Sequence, residues 1–117
     1  MALYFNLPVY KESYDLLLQI FEYNAKLPRE YRYTLGERLK NESTDILLQI
    51  FEASLFNGIQ KKNAIEKALF HLEKCRLYIR LFKDLNVWGV SKQVSLNQRI
   101  ESISKQLTQW GIYVARV

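Results

Sequence analysis

The side chains best suited to catalysis are His71 and Cys75, each the only residue of its type in the 117-residue chain. Four residues is a spacing at which helical side chains meet, so the imidazole could act as a base toward the thiol. Cys75, however, lies in an apolar stripe, where a buried thiol is inert. The sequence therefore predicts no cysteine nucleophile.

Other catalytic and ligating patterns of helical proteins are missing from the sequence. Di-iron bundles need Glu-x-x-His on two helices, whereas His71 has no glutamate three residues before it. A C-x-x-C-H haem motif, a Walker A loop and a dinucleotide-binding glycine pattern are all absent. The nearest arginine before His71 is Arg38, too distant for a ribonuclease pair on one helix. We expect no enzymatic activity, no cofactor and no metal site.

The whole chain has a formal net charge of +5, and its positive charge is concentrated in the second half. Residues 1–60 hold six Lys and Arg against eight Asp and Glu, whereas residues 61–117 hold eleven against four. A basic half is typical of proteins that bind polyanions, chiefly nucleic acid. The alternative is a basic soluble domain that binds no nucleic acid.

The elements that position these residues are predicted to be helices within one domain, residues 1–117. Four glycines and two prolines separate long helix-compatible stretches, and sustained alternation of polar and apolar residues is absent. The predicted helices cover residues 8 to about 27, 34 to 57 or 58, about 61 to 86, and from Ser91 or Ser95 onward. Their short connections predict an all-α, antiparallel up-down-up-down four-helix bundle.

Periodicity and capping patterns predict which faces are buried and where the second helix begins. Thr34 to Glu37 has the spacing of a capping box, and Asn57-Gly58 is typical of a helix end. The predicted apolar face of the first helix is Tyr10, Tyr14, Leu17, Leu18, Phe21 and Ala25. The predicted seam of the fourth is Leu96, Ile100, Ile103, Leu107, Trp110 and Val114.

A ten-residue stretch occurs twice, thirty residues apart. Residues 13–22 (SYDLLLQIFE) and 43–52 (STDILLQIFE) are identical at eight positions. Two copies are too few for a solenoid. Convergence of two helices that face one core is favoured over duplication.

The third helix has apolar residues on more than one face. One stripe contains Ile65, Ala68, Leu69, Leu72, Cys75, Ile79 and Phe82. A second stripe contains Phe70, Leu77, Tyr78, Leu81 and Leu85. Because a peripheral helix of a monomer normally has one narrower stripe, we expect the second to lie in an oligomer interface.

Cations on the same helix are candidate phosphate contacts. The candidates are Lys62, Arg76, Arg80 and Lys83, and the pairs Glu73–Arg76 and Arg80–Asp84 have the spacing of weak ion pairs within a helix. A positive ridge that contacts phosphates is one interpretation. A solvated charged face is the other.

A turn rich in tyrosine and arginine joins the first two predicted helices. It contains Arg29 and Arg32 beside Tyr23, Tyr31 and Tyr33. Aromatic and arginine side chains could stack on unpaired bases, so both arginines are further nucleic-acid-binding candidates. Alternatively, the tyrosines cover the end of the bundle with their hydroxyls in water.

Four stretches of the sequence, residues 7–11, 21–27, 27–39 and 72–85, are similar to those of a known family, and Tyr-Thr-Leu-Gly-Glu-Arg at 33–38 is the most specific part. Through them the chain resembles the accessory variability determinant (Avd) proteins of diversity-generating retroelements, in the bacterial four-helix-bundle group that includes rRNA intervening-sequence proteins.

The resemblance implies a non-catalytic protein that forms a ring-like pentamer, binds a reverse transcriptase and contacts RNA or DNA to support cDNA synthesis. Independently of the resemblance, we expect a location in the reducing cytoplasm, because a single cysteine cannot form an internal disulfide. Neither a signal peptide nor a membrane-spanning segment is expected. The alternative function is a protein-interaction bundle without nucleic-acid binding.

Overall fold

Helices account for nearly all of residues 4–116, the part of the chain that the computed structural model describes. A 3₁₀ turn at Tyr4–Asn6 precedes the α-helices, and the described residues contain no strand. The helices are α1 (Pro8–Asn24), α2 (Arg29–Arg32), α3 (Leu35–Leu55), α4 (Gly58–Asp84) and α5 (Val90–Arg116). The four long helices form a compact bundle, in which α1 and α4 each contact both α3 and α5. The all-helical prediction is confirmed.

The core lies along the axis of the bundle, and each long helix contributes to it. On α5, Leu96, Ile100, Ile103 and Leu107 are completely buried, and the partly buried Trp110 and Val114 pack against the core. On α4, the stripe from Ile65 to Phe82 is buried as expected, except that Leu69 is only partly buried. Periodicity predicted these two faces correctly because burial on one side leaves a regular apolar spacing.

The predicted core face of α1 is largely wrong, although Tyr10 does pack against the core. The buried residues are Val9, Ser13, Leu16, Ile20 and Asn24. Two of them are polar, and Asn24 is accommodated because its Nδ2 donates to the carbonyl of Gly36 at 2.8 Å. The stripe predicted to be buried includes Tyr14, Leu18 and Phe21, which remain about half exposed.

The capping box predicted at Thr34 does not form. No side-chain hydrogen bond caps α3. The Thr34 hydroxyl instead donates to the carbonyl of Glu30 at 2.6 Å. The short helix α2, which the sequence analysis missed, ends just before Thr34 and supplies this competing acceptor.

Other helix boundaries differ from the prediction by a few residues. Helix α1 ends at Asn24, and α3 ends at Leu55. Gly58 has the positive φ expected of a glycine at a boundary, 61°, but it begins α4 instead of ending α3. Because α5 begins at Val90, Ser91 and Ser95 lie inside the helix.

None of the described helices combines the length and the apolar character that crossing a bilayer would need.

Candidate nucleic-acid and assembly surfaces

The six candidate cations lie in three places. Arg76, Arg80 and Lys83 border a groove of about 870 Å³ between the C-terminal part of α4 and the N-terminal part of α5, here called the α4–α5 groove. Lys62 lines a separate depression near the other ends of these helices, beside Leu107. Arg29 and Arg32 lie on α2. The cations of α4 therefore do not form one continuous ridge.

The three cations of the groove differ in how freely they could contact a phosphate. Arg76 contacts Glu73 and, across the helix interface, Glu101. Arg80 Nε lies 3.4 Å from Asp84 Oδ2, but both side chains are exposed, so water screens the pair. Lys83 is exposed and forms no ion pair with another described residue. Arg80 and Lys83 are the most available of the three.

The two arginines of α2 also differ from each other. Arg32 Nη2 donates to the carbonyls of Ala25 and Leu27, at 2.9 and 3.1 Å. These carbonyls follow the end of α1, where backbone acceptors lack helical partners, so Arg32 caps the turn. Arg29 is exposed. Arg32 has a structural role, whereas Arg29 remains free to act as a binding candidate.

Two of the three tyrosines at this turn pack against aromatic residues at the end of the bundle. Tyr31 packs edge to face on Phe82, and Tyr23 packs the same way on Trp88. Tyr33 is 63% exposed. The contacts of Tyr23 and Tyr31 agree with the end-cover interpretation. Because Phe82 is near the end of α4, the contact with Tyr31 places α2 at the same end of the bundle as the α4–α5 groove.

The second apolar stripe of α4, predicted to be an oligomer interface, is partly exposed. Phe70 and Leu77 are 61% and 62% exposed, and Leu85 is 39% exposed. Leu81 is half-buried, and Tyr78 packs against the core. The exposed stripe therefore consists chiefly of Phe70 and Leu77, on the helix that also carries the cations of the groove, and of Leu85, which directly follows that helix.

A further apolar surface, which the sequence analysis did not identify, follows the contact between α1 and α3. This seam surface consists of Tyr14, Leu18, Phe21, Leu48 and Phe51, all at least about one-third exposed. The repeated ten-residue stretch contained its signal, because Leu18 corresponds to Leu48 and Phe21 to Phe51. Convergence of two helices that face one core explains why their buried residues are alike. It does not explain why the exposed leucines and phenylalanines are also alike.

The only histidine is held by two carboxylates of the neighbouring helix. His71 Nδ1, on α4, lies 2.6 Å from Glu42 Oε2 and 4.0 Å from Asp45 Oδ2, both on α3. Lys74 Nζ lies 3.5 Å from the other oxygen of Glu42. Sequence periodicity missed this site because the residues belong to two helices.

Cys75 lies in the core, and its thiol is unsuited to nucleophilic attack. Burial raises the pKa of the Cys75 thiol, and the negative charges of Glu42 and Asp45 raise it further. A nucleophilic cysteine needs the opposite environment, in which the thiolate is stabilised.

The fold and its surfaces define a small helical bundle with exposed apolar stripes and a cation-lined groove. No protein-family model matches the chain, and no curated protein matches it. Among solved structures, the chain is similar to a protein of unknown function from the S23 ribosomal protein family of Bacteroides thetaiotaomicron. The two share 17% sequence identity with a TM-score of 0.80, over 88% of this chain and 94% of the other. This similarity shows a shared fold.

Proposed function

We propose that this protein is a non-catalytic accessory factor that binds nucleic acid through a basic surface and docks a retroelement reverse transcriptase, supporting cDNA synthesis and sequence diversification. The observation that carries the proposal is the placement of two surfaces on one helix. Leu77 on α4 and Leu85 just after its end are exposed and can contact another subunit, while Arg80 and Lys83 on α4 border the α4–α5 groove. Assembly would then bring the cations of several subunits together.

The proposal includes an antiparallel bundle that forms a ring-like homopentamer in the cytoplasm. Contacts between neighbouring helices support the antiparallel order, because residue numbers rise on one helix as they fall on the other. Glu42 contacts His71, and Ala53, eleven residues later on α3, contacts Lys61. The pairs Glu12–Gln106 and Gln19–Ser95 have the same relation on α1 and α5.

Nucleic acid would be bound through its phosphates, without reading of the base sequence. Arg80 and Lys83 offer donors to phosphate oxygens, and Arg29 lies on α2 at the same end of the bundle. Sequence selection would be left to the polymerase and to base pairing.

The test measures binding of a fluorescent RNA or DNA oligomer at several salt concentrations. We expect the affinity of the unmodified protein to fall steeply with salt, because binding releases condensed counterions. The double variant Arg80→Glu/Lys83→Glu should bind at least about tenfold more weakly and should reduce the log–log salt slope by about two. Arg76 is left unchanged because it connects α4 to α5 through Glu101.

The matched control is Lys11→Glu/Lys105→Glu, which changes the net charge from +5 to +1 just as the test variant does. Both lysines are exposed and lie outside the α4–α5 groove. Equal loss of affinity in the two double variants would indicate a general charge effect and contradict a specific surface. Binding that does not change with salt would contradict the phosphate mechanism altogether.

The reverse-transcriptase part of the proposal rests on the Avd resemblance. Coexpression with a reverse transcriptase encoded beside the gene should give a complex that copurifies at physiological salt. The absence of such a complex would remove this partner while leaving the nucleic-acid measurements intact.

The second candidate function is a protein-interaction bundle that binds no nucleic acid. It is favoured by the engagement of Arg76 with two carboxylates and of Arg32 with two carbonyls, which removes two of the six candidate cations. Under this alternative, neither the unmodified protein nor either double variant binds the RNA or DNA oligomer.

A further inference from the structure

Three side chains that commonly ligate metals meet where α3 packs against α4. Glu42, Asp45 and His71 each offer one ligand atom, and these atoms lie within 4.8 Å of one another. The His71 and Glu42 side chains are less than one-fifth exposed, whereas Asp45 is 43% exposed. The cluster is therefore held by packing on one side and open to water on the other.

A second pair of carboxylates, on α1, provides an internal comparison. Glu12 and Asp15 precede Glu42 and Asp45 by thirty residues, the spacing of the repeated stretch. They face Arg99 of α5, whose Nη1 lies 3.6 Å from an oxygen of each. A guanidinium has no free lone pair and cannot ligate a metal. Only the α3 pair, Glu42 and Asp45, faces an imidazole, which can ligate a metal through a nitrogen lone pair.

We propose that Glu42, Asp45 and His71 bind one divalent transition-metal ion of the Zn²⁺ and Co²⁺ type. One imidazole nitrogen with two carboxylate oxygens is a donor set that suits zinc and its neighbours, whereas Mg²⁺ prefers oxygen ligands and retains its waters. Three protein ligands leave a position open for water, and the exposed side of Asp45 allows access.

Small side-chain rotations bring the three ligand atoms to bonding distance. Ligands at about 2.0–2.2 Å from zinc lie roughly 3.0–3.5 Å from one another. The Glu42–His71 contact of 2.6 Å must therefore open slightly, and Asp45 must approach from 4.0 Å. Asp45 can move because much of its side chain is in water.

Metal binding at this site replaces the contact between His71 and Glu42. His71 Nδ1 lies 2.6 Å from Glu42 Oε2, and to bind the ion Nδ1 must present its lone pair, so the metal-bound ring carries its proton on Nε2. The hydrogen-bond contact is then exchanged for one bond from each side chain to the ion. Lys74, whose Nζ lies 3.5 Å from Glu42, is a charged neighbour of these ligands.

Lys74 acts against the metal because it adds a positive charge and engages the second oxygen of Glu42. Its ammonium also lies 4.7 Å from the centre of the Phe70 ring, which holds it beside the site. Replacing Lys74 by methionine keeps the aliphatic stem and all three ligands. This variant should bind the metal more tightly.

The experiment titrates ZnCl₂ into tag-free protein by calorimetry and CoCl₂ by visible absorption. We expect one ion per chain and no heat from MgCl₂ under the same conditions. His71→Ala and Glu42→Gln should each weaken zinc binding at least about tenfold. The cobalt spectrum should lose its imidazole contribution in His71→Ala.

The matched controls are Glu12→Gln and Asp15→Asn, which remove the equivalent acids of α1 and should leave zinc binding unchanged. Circular dichroism verifies that each variant is folded. If His71→Ala unfolds, Lys74→Met decides the matter, because tighter zinc binding supports the site and unchanged binding contradicts it. Equal affinity in the wild type and a folded His71→Ala would overturn the proposal, as would no binding by the wild type. The proposal departs from the expectation of no metal site.

Discussion

At the scale of the residue, Cys75 shows how position governs reactivity. Its side chain is completely buried, and burial raises its pKa above the ordinary value, with Glu42 and Asp45 acting in the same direction. The thiol therefore contributes to stability only in its protonated form. The contribution is present below pH 9.0, the ordinary thiol pKa here, and is lost as the pH rises above it, because the unfolded chain ionises first.

We predict that stability falls at alkaline pH through this thiol. Above about pH 9, the free energy of unfolding should drop by up to about 1.4 kcal/mol per pH unit from Cys75 alone. Urea unfolding between pH 7 and 10.5 measures the slope for the wild type and for Cys75→Ala. The variant is less stable at neutral pH because of its cavity, but its slope should be shallower. Parallel slopes would show that the thiol does not contribute.

At the scale of the element, the junction of α2 and α3 depends on a close approach at Gly36. A Cβ there would lie 3.0 Å from the Tyr31 carbonyl oxygen and 3.1 Å from Leu27 Cδ1. The Gly36 carbonyl also accepts the hydrogen bond from Asn24 at the end of α1. Gly36 belongs to Tyr-Thr-Leu-Gly-Glu-Arg, the segment most specific to the Avd resemblance, so part of that pattern has a packing explanation.

We predict opposite effects for two glycine-to-alanine substitutions. Gly36→Ala should destabilise the protein by about 1–3 kcal/mol because backbone must move to make room. Gly111→Ala, inside α5, places a Cβ 3.6 Å from Ile65 Cγ2, an ordinary contact, and should stabilise by about 0.5–1 kcal/mol through helix propensity. Thermal and urea unfolding of the two variants give the comparison. Equal effects would mean that Gly36 matters only through propensity.

At the scale of the whole molecule, apolar surfaces are exposed on different helices of the bundle. The α4 stripe offers Phe70, Leu77 and Leu85, and the seam surface lies on α1 and α3. Helix α1 contacts α3 and α5, whereas α4 is not among its main neighbours. Two different patches are what a ring requires, because each subunit meets the next through a heterologous contact. A twofold dimer would use one patch on both subunits.

If the protein forms the proposed ring, we predict that a single charged substitution on either patch prevents its formation. Leu77→Glu and Leu18→Glu should each yield smaller particles by light scattering coupled to size exclusion, since each introduces a charge into an apolar contact. Mixing the two variants should restore one good interface and give a 1:1 dimer. If Leu18→Glu leaves the oligomer intact, the seam surface lies outside the interface. A monomeric wild type would contradict the assembly.

The amino-acid sequence alone determined the helical class and much of the core. The buried faces of α4 and α5 followed from the spacing of their apolar residues, because helix periodicity is a local property. On α1 the same reasoning selected the wrong stripe, since two apolar sets compete there and local periodicity cannot rank them. The excess of positive charge in the second half could likewise be counted from the sequence, although the sequence did not identify the molecules that bind there.

Only the tertiary structure decided which side chains meet across helices. It placed the candidate cations in three different parts of the surface. It also paired Arg76 with carboxylates and Arg32 with backbone carbonyls, and it brought His71 next to Glu42 and Asp45. These contacts depend on the rotation and register of one helix against another, which are set by the packing of the whole core. Residues 29 positions apart, such as Glu42 and His71, acquire a shared chemistry only after that packing has placed them together.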